Sequence, residues 1–168
     1  VQTPSIKDAF VRKFHVSEQN VKIVKPKTNI IDYSKISAAN LDKSFFHFIY
    51  PAASSIYKNH IELIKVVYNL LDVKPMLRNK LKIHFTLKPE NNKTLYKEIL
   101  DRSLKDIFEF HGTMPFKTLL GYYKSCDALL FPSYIETFGL PLIEAAEAGL
   151  PVIAVDLPYV HEAIGQYQ

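Results

Sequence analysis

Residues 128–156 read ALLFPSYIETFGLPLIEAAEAGLPVIAVD, and its three prolines and two glycines leave few ways to fold it. The apolar run from Ala128 to Phe131 stops at Pro132, which has no ladder N–H to offer and so ends a strand. A polar loop follows to Gly139. Pro141 then stands where a first helical residue tolerates a missing N–H and a fixed φ. Leu142 to Ala146 are mostly strong helix formers, and Gly149 followed by Pro151 closes the helix. Val152 to Val155 is short, wholly apolar and rich in β-branched residues, the pattern of a buried parallel strand. The segment is expected to be strand, loop, helix and strand.

Its chemistry lies in the loop and the first helical turns. The N–H groups of Gly139 to Leu142 are expected to point out of the helix N-terminus, in the crevice at the carboxyl ends of parallel strands, where anions bind. Glu136 stands in the loop and Glu144 inside the helix, eight positions on. One carboxylate would reach a ligand from the loop and the other from the helix. Two carboxylates beside an anion site point to a ligand with both hydroxyls and phosphate, and a sugar nucleotide fits.

Phe131-Pro132-Ser133, Glu136, Phe138-Gly139-Leu140-Pro141, Glu144-Ala145 and Ala148-Gly149-Leu150-Pro151-Val152 together resemble the E-x7-E signature of retaining glycosyltransferases of the GT-B fold, family 4 (group 1). Two glutamates at this spacing mean little alone; framed by F-G-L-P and A-G-L-P-V they are specific. The resemblance implies one half of a GT-B enzyme, the carboxy-terminal donor domain. It implies transfer of a sugar from a nucleotide diphosphate donor to a glycan or lipid-linked sugar held by an amino-terminal domain. No metal or other cofactor is implied.

The resemblance also assigns residues. Lys58 matches a lysine that, with an arginine in the same loop, neutralises the donor diphosphate. Ala52 stands where the arginine is expected, and Lys88 is the replacement to examine. Glu136 would lie near the transferred sugar and Glu144 at the ribose hydroxyls. Phe138, Gly139 and Leu140 would act through backbone N–H groups, while Gly112, Thr113 and Met114 would border the base. His161 and Glu162 fall near an acid that the family carries after the last strand.

Elsewhere the chain alternates. A short helix is expected from Ser5 to Phe14 with Ser5 as cap, and a strand over Val21 to Val24. Residues 28–43 show no period. Strands follow at Ser44 to Tyr50, Leu81 to Leu87 and Ile107 to Phe110. Helices follow at His60 to Leu71, Asn92 to Leu104 and Pro115 to Ser125. Five strands alternating with helices give an α/β, Rossmann-like, doubly wound parallel sheet. Residues 1–43 are expected to be linker, and 44–168 a donor domain lacking its closing helices.

With 48% apolar and 23% charged residues, the 168-residue chain suits one globular domain. No apolar run reaches membrane-spanning length and no leader pattern opens the sequence, so the expectation is a cytoplasmic protein, with peripheral association at the inner membrane surface for the whole enzyme. Its lysines are dispersed, and the net charge of +4 comes with no nucleic-acid motif. Cys126 has no cysteine to pair with and reads as a core thiol. His47 and His84 read as packed histidines within strands, and His111 as a neighbour of the base pocket. G-x-G-x-x-G, P-loop, G-x-S-x-G, Cys/His metal spacing and D-x-D are all missing, which argues against dehydrogenase, P-loop, esterase and metal-clamp readings. Two alternatives stay open at this level, a sugar-nucleotide epimerase or hydrolase of similar fold and a non-catalytic nucleotide-binding module.

Overall fold

A computed structural model describes residues 1–28 and 31–165. Positions 29 and 30, inside the segment read as irregular, and 166–168, at the end of the expected domain, lie outside the described residues.

The framework is a five-stranded sheet in the order β3-β2-β1-β4-β5, with every pairing parallel. Its strands are β1 (Phe46–Tyr50), β2 (Leu81–Phe85), β3 (Phe108–Phe110), β4 (Ala128–Phe131) and β5 (Val152–Ala154). The α-helices among the described residues are α1 (Pro4–Phe14), α2 (His60–Val73), α3 (Lys93–Asp101), α4 (Phe116–Tyr123), α5 (Leu140–Glu147) and α6 (Pro158–Ile164). The strand order reverses between β1 and β4, so their two following loops diverge. In a parallel sheet that reversal opens a crevice at the carboxyl ends of the strands.

The expected doubly wound sheet is present, with ends that differ by a few residues. Asn92 caps α3 by accepting the Leu95 N–H at 2.9 Å. Along α2, His60, Ile64, Val67 and Leu71 form the buried stripe that helical spacing dictates. The end of α5 is a Schellman motif, in which Gly149 N–H bonds the Ala146 carbonyl at 3.0 Å and Leu150 N–H the Ala145 carbonyl at 2.9 Å. Cys126 is partly buried as expected, and burial pushes its thiol up to about 12.

Three expectations need correction. The cap of α1 is Thr3, whose hydroxyl accepts the Ile6 N–H, because Pro4 supplies the first helical residue in place of Ser5. Val21 to Val24 joins no sheet: Val24 N–H bonds the Val1 carbonyl at 2.8 Å, so its hydrogen bonding is taken up by the chain start. β5 is an edge strand rather than a buried one, and Ile153 is 56% exposed. After β5 the chain enters α6, whose Tyr159 and Val160 pack into the core.

No helix among the described residues is long and apolar enough to cross a membrane.

Candidate functional site

Two loops at the strand ends are drawn together by side chains buried between them. Tyr50, the last residue of β1, is fully buried, and its hydroxyl donates to the Lys58 carbonyl. The same phenol oxygen lies 2.9 Å from Ser133 Oγ in the loop after β4, and Tyr159 of α6 donates its hydroxyl to the Ser133 carbonyl at 2.6 Å. Tyr134 N–H closes the join on the Tyr57 carbonyl at 2.8 Å. Burial raises the pKa of Tyr50 and Tyr159, so both stay protonated donors at neutral pH.

This join places Lys58 and Glu136 in an ion pair, with 15% and 11% of their side chains exposed. Lys58 ends a short 3₁₀ turn, Ile56–Lys58, and its ammonium also lies 5.6 Å from the centre of the Tyr57 ring. A cation and an anion thus meet at the reversal point of the sheet, each from a loop that follows a strand.

Glu144 faces elsewhere. From α5 its Oε2 accepts the Tyr123 hydroxyl at 3.0 Å, and its backbone carbonyl accepts the Tyr33 hydroxyl at 2.7 Å. Burial raises the pKa of its carboxyl, the Tyr123 hydrogen bond opposes the rise, and Glu147 adds to it. The two glutamates of the signature therefore keep separate partners, Glu136 with a lysine and Glu144 with tyrosines of other elements.

Gly139 caps α5 at φ +77°, a backbone region that an L side chain adopts only with strain, and a Cβ there would stand 2.9 Å from Leu142 Cδ1. The expected run of free amides from Gly139 to Leu142 is shorter in the structure. Leu142 N–H is spent on the Gly139 carbonyl at 2.9 Å, and Pro141 has none. Gly139 and Leu140 keep theirs without a hydrogen-bond partner among the described residues. Phe138 is buried and serves the core with its ring.

A cleft of about 530 Å³ opens over the ends of β1, β2 and β3, within the size range of small-molecule sites. Ala52, Ser54, Thr86, Leu87, Thr113 and Met114 are among its lining residues. Gly112 holds the adjoining turn at φ +70°, its N–H on the Leu87 carbonyl at 2.8 Å, and Lys88 lies across it so closely that a Cβ would be 3.0 Å from Lys88 Cγ. Lys88 is exposed at this rim and takes no ion-pair partner among the described residues. Ala52 in the cleft wall carries no charge. His161 pairs with Asp156 at the surface, and Glu162 accepts the N–H and hydroxyl of Ser5 at 2.8 and 2.7 Å, tying α6 to the start of α1.

Sequence reasoning missed the buried partners Tyr50, Ser133, Tyr159 and Tyr123. The available signal was a tyrosine closing each of two apolar segments, but nothing in the spacing says which oxygen each phenol meets.

Residues 32–168 match the family described as Glycosyl transferases group 1. The chain is 27% identical over 167 residues to the O-antigen chain mannosyltransferase RfbU of Salmonella typhimurium, covering 95% of this chain and 42% of that protein. It is 25% identical over 162 residues to the D-inositol 3-phosphate glycosyltransferase of Streptomyces avermitilis, covering 89% of this chain and 35% of that one. The chain therefore spans less than half the length of either relative. The fold matches the crystal structure of the pneumococcal O-GlcNAc transferase GtfA in complex with UDP and GlcNAc, with a TM-score of 0.70 and 23% identity over 98% of this chain and 31% of that chain.

Proposed function

This chain belongs to the group 1 glycosyl transferases, and from that membership we propose that it is the donor-binding, carboxy-terminal half of a retaining GT-B enzyme of family 4. The observation that carries the reading is the Lys58–Glu136 ion pair at the switch point of the parallel sheet. The pair offers a cation for a diphosphate and a carboxylate for sugar hydroxyls in one place.

In this reading the nucleoside enters the cleft beside Gly112, Thr113 and Met114, and its diphosphate meets the Lys58 ammonium. An ammonium has three donors. Glu136 holds one of them, and the others are free for phosphate oxygens. The amides of Gly139 and Leu140, at the positive end of α5, supply further donors to the same anion. Lys88, exposed at the rim, is the cation that stands in for the charge Ala52 lacks. Glu144, oriented by Tyr123, serves the ribose hydroxyls, and Phe138 holds the loop in place.

Transfer breaks the bond between the anomeric carbon and the diphosphate oxygen and forms one from an acceptor hydroxyl on the same face, whose proton passes to the leaving phosphate. Charge grows on the leaving diphosphate, and in this reading Lys58 and the amides neutralise it by preorganised electrostatics. Glu136 stabilises the positive charge that develops at the anomeric carbon. No metal is needed for that neutralisation. The acceptor, a glycan or lipid-linked sugar, is bound by an amino-terminal domain of the whole enzyme, which acts in the cytoplasm or at the inner face of the membrane.

Calorimetric titration of the chain with UDP, GDP and ADP tests the reading. One nucleotide is expected to bind preferentially, and Lys58→Ala and Glu144→Ala are each expected to weaken it by about 1 to 3 kcal/mol, the range for charged hydrogen bonds. Nucleotide binding that neither substitution changes would sink it. Product analysis of the whole enzyme, looking for sugar transfer against conversion of the donor alone, separates the transferase from an epimerase or hydrolase.

A further inference from the structure

Three imidazoles form a hydrogen-bonded chain across β1, β2 and the end of β3, apart from the Lys58–Glu136 pair. His47 Nε2 is 2.8 Å from the Asp42 carbonyl, His47 Nδ1 is 2.9 Å from His84 Nε2, and His84 Nδ1 is 2.9 Å from His111 Nε2. A carbonyl can only accept, so His47 Nε2 carries a proton. In the uncharged chain of rings His47 Nδ1 is then bare and accepts from His84 Nε2–H. His84 Nδ1 is left as a lone pair, 2.9 Å from His111 Nε2.

That lone pair accepts from His111 Nε2–H and lies beside a carboxylate oxygen of Glu109. In the strand register His84 faces Glu109, and His111 comes two residues later against the same Tyr122 ring, with ring centres 5.1 and 5.2 Å away. Glu109 Oε2 is 3.3 Å from His84 Nδ1 and 3.8 Å from His111 Nε2. Its other oxygen is held by the Lys82 ammonium at 3.3 Å.

We propose that His84 Nδ1, His111 Nε2 and Glu109 Oε2 are the ligands of a divalent transition-metal site. A tetrahedral zinc with bonds of about 2.0 to 2.1 Å separates its ligand atoms by about 3.3 to 3.4 Å. The observed separations of 2.9, 3.3 and 3.8 Å bracket that value, so small side-chain shifts are enough. Two imidazoles with one carboxylate select zinc and its neighbours over the oxygen-loving magnesium and calcium. The His47 ring and the Asp42 carbonyl behind His84 form the outer support that orients a ligating histidine. On binding, the proton on His111 Nε2 moves to Nδ1 through solvent and frees the second lone pair. The fourth position faces the surface that Glu109 and His111 reach.

Such a metal would pin the edge strand β3 to β2 and hold the backbone that runs from His111 into Gly112 and the cleft wall. It takes no part in the donor chemistry proposed above.

The test is zinc titration of the chain by calorimetry, with cobalt absorption in the visible as the probe of tetrahedral ligation. One metal per chain is expected, with a thermal shift upward in zinc. Glu109→Gln and His111→Ala, both at partly exposed positions that leave the core intact, are each expected to lower affinity at least about tenfold, the lower end of losing even an outer-shell partner. Both are expected to abolish the thermal shift. His161→Ala, at the exposed pair with Asp156, is expected to leave binding unchanged. The proposal is overturned if the chain binds no zinc, if either of the first two substitutions leaves affinity unchanged, or if His161→Ala removes the bound metal.

Discussion

Lys58 and Glu136 stand 78 residues apart in the chain and meet as an ion pair almost closed off from solvent. A pair of this kind is expensive to break from one side, since the remaining charge keeps little water and loses its partner. Lys58→Met and Glu136→Gln are each expected to destabilise the chain by about 1 to 3 kcal/mol, below the value for fully buried pairs because some solvent reaches both. The double variant is expected to lose less than the sum of the two. Urea unfolding of the four proteins measures that coupling, and strict additivity would show that the contact contributes nothing.

Tyr50→Phe removes a hydroxyl that joins the β1 loop to the β4 loop through the Lys58 carbonyl and Ser133. The ring keeps its packing, so the loss isolates the hydrogen bonds. Two buried groups lose a partner, at a cost of about 1 to 3 kcal/mol. Hydrogen exchange should rise at Lys58 and Tyr134 while the core strands stay protected. Unchanged exchange in these loops would argue against Tyr50 as their tether.

Glu144 is a carboxyl whose folded pKa lies above its unfolded value because of burial. The folded chain then binds more protons than the unfolded one above the ordinary carboxyl range. The associated stability is greatest at low pH and is lost as pH rises through the folded pKa. Glu144→Gln, which keeps an acceptor for Tyr123, is expected to raise the melting temperature at pH 7 and flatten this decline while nucleotide affinity falls. A variant less stable than the parent at pH 7 would contradict the sign.

His60 works the other way. Its Nε2 is buried with no hydrogen-bond partner among the described residues, its ring lies 4.6 Å from Tyr50, and burial with the nearby Lys58 charge brings it down to about 4. The unfolded chain binds the extra proton between pH 6.5 and 4, so stability is full above 6.5 and falls through that window. The shift corresponds to on the order of 3 kcal/mol at its acid end. His60→Phe is expected to flatten this limb of the pH–stability curve measured by urea unfolding. An identical curve would remove His60 as its source.

How far the sequence alone reaches is visible in particular residues. Pro132, Pro141, Gly149 and Pro151 act on their own backbone, so strand β4, helix α5 and the Schellman close of that helix were legible from local rules. Apolar spacing in α2 was equally local. The start of α1 was misread by one residue because Pro4 and Thr3 take the positions that Ser5 also suits. β5 was read as buried because its composition says nothing about what lies beyond it in the sheet.

By itself, then, the sequence determined a parallel α/β sheet and put Lys58 and Glu136 in loops that follow two of its strands. Periodicity, caps and turn chemistry are short-range effects, and they act before distant residues meet. Only the tertiary structure decided that Lys58 finds Glu136, that Glu144 turns to Tyr123 and Tyr33, and that His47, His84 and His111 line up across three strands. Those partnerships depend on strand order and register, which bring residues tens of positions apart within hydrogen-bond distance. Pairwise geometry of that kind has no signature in local spacing.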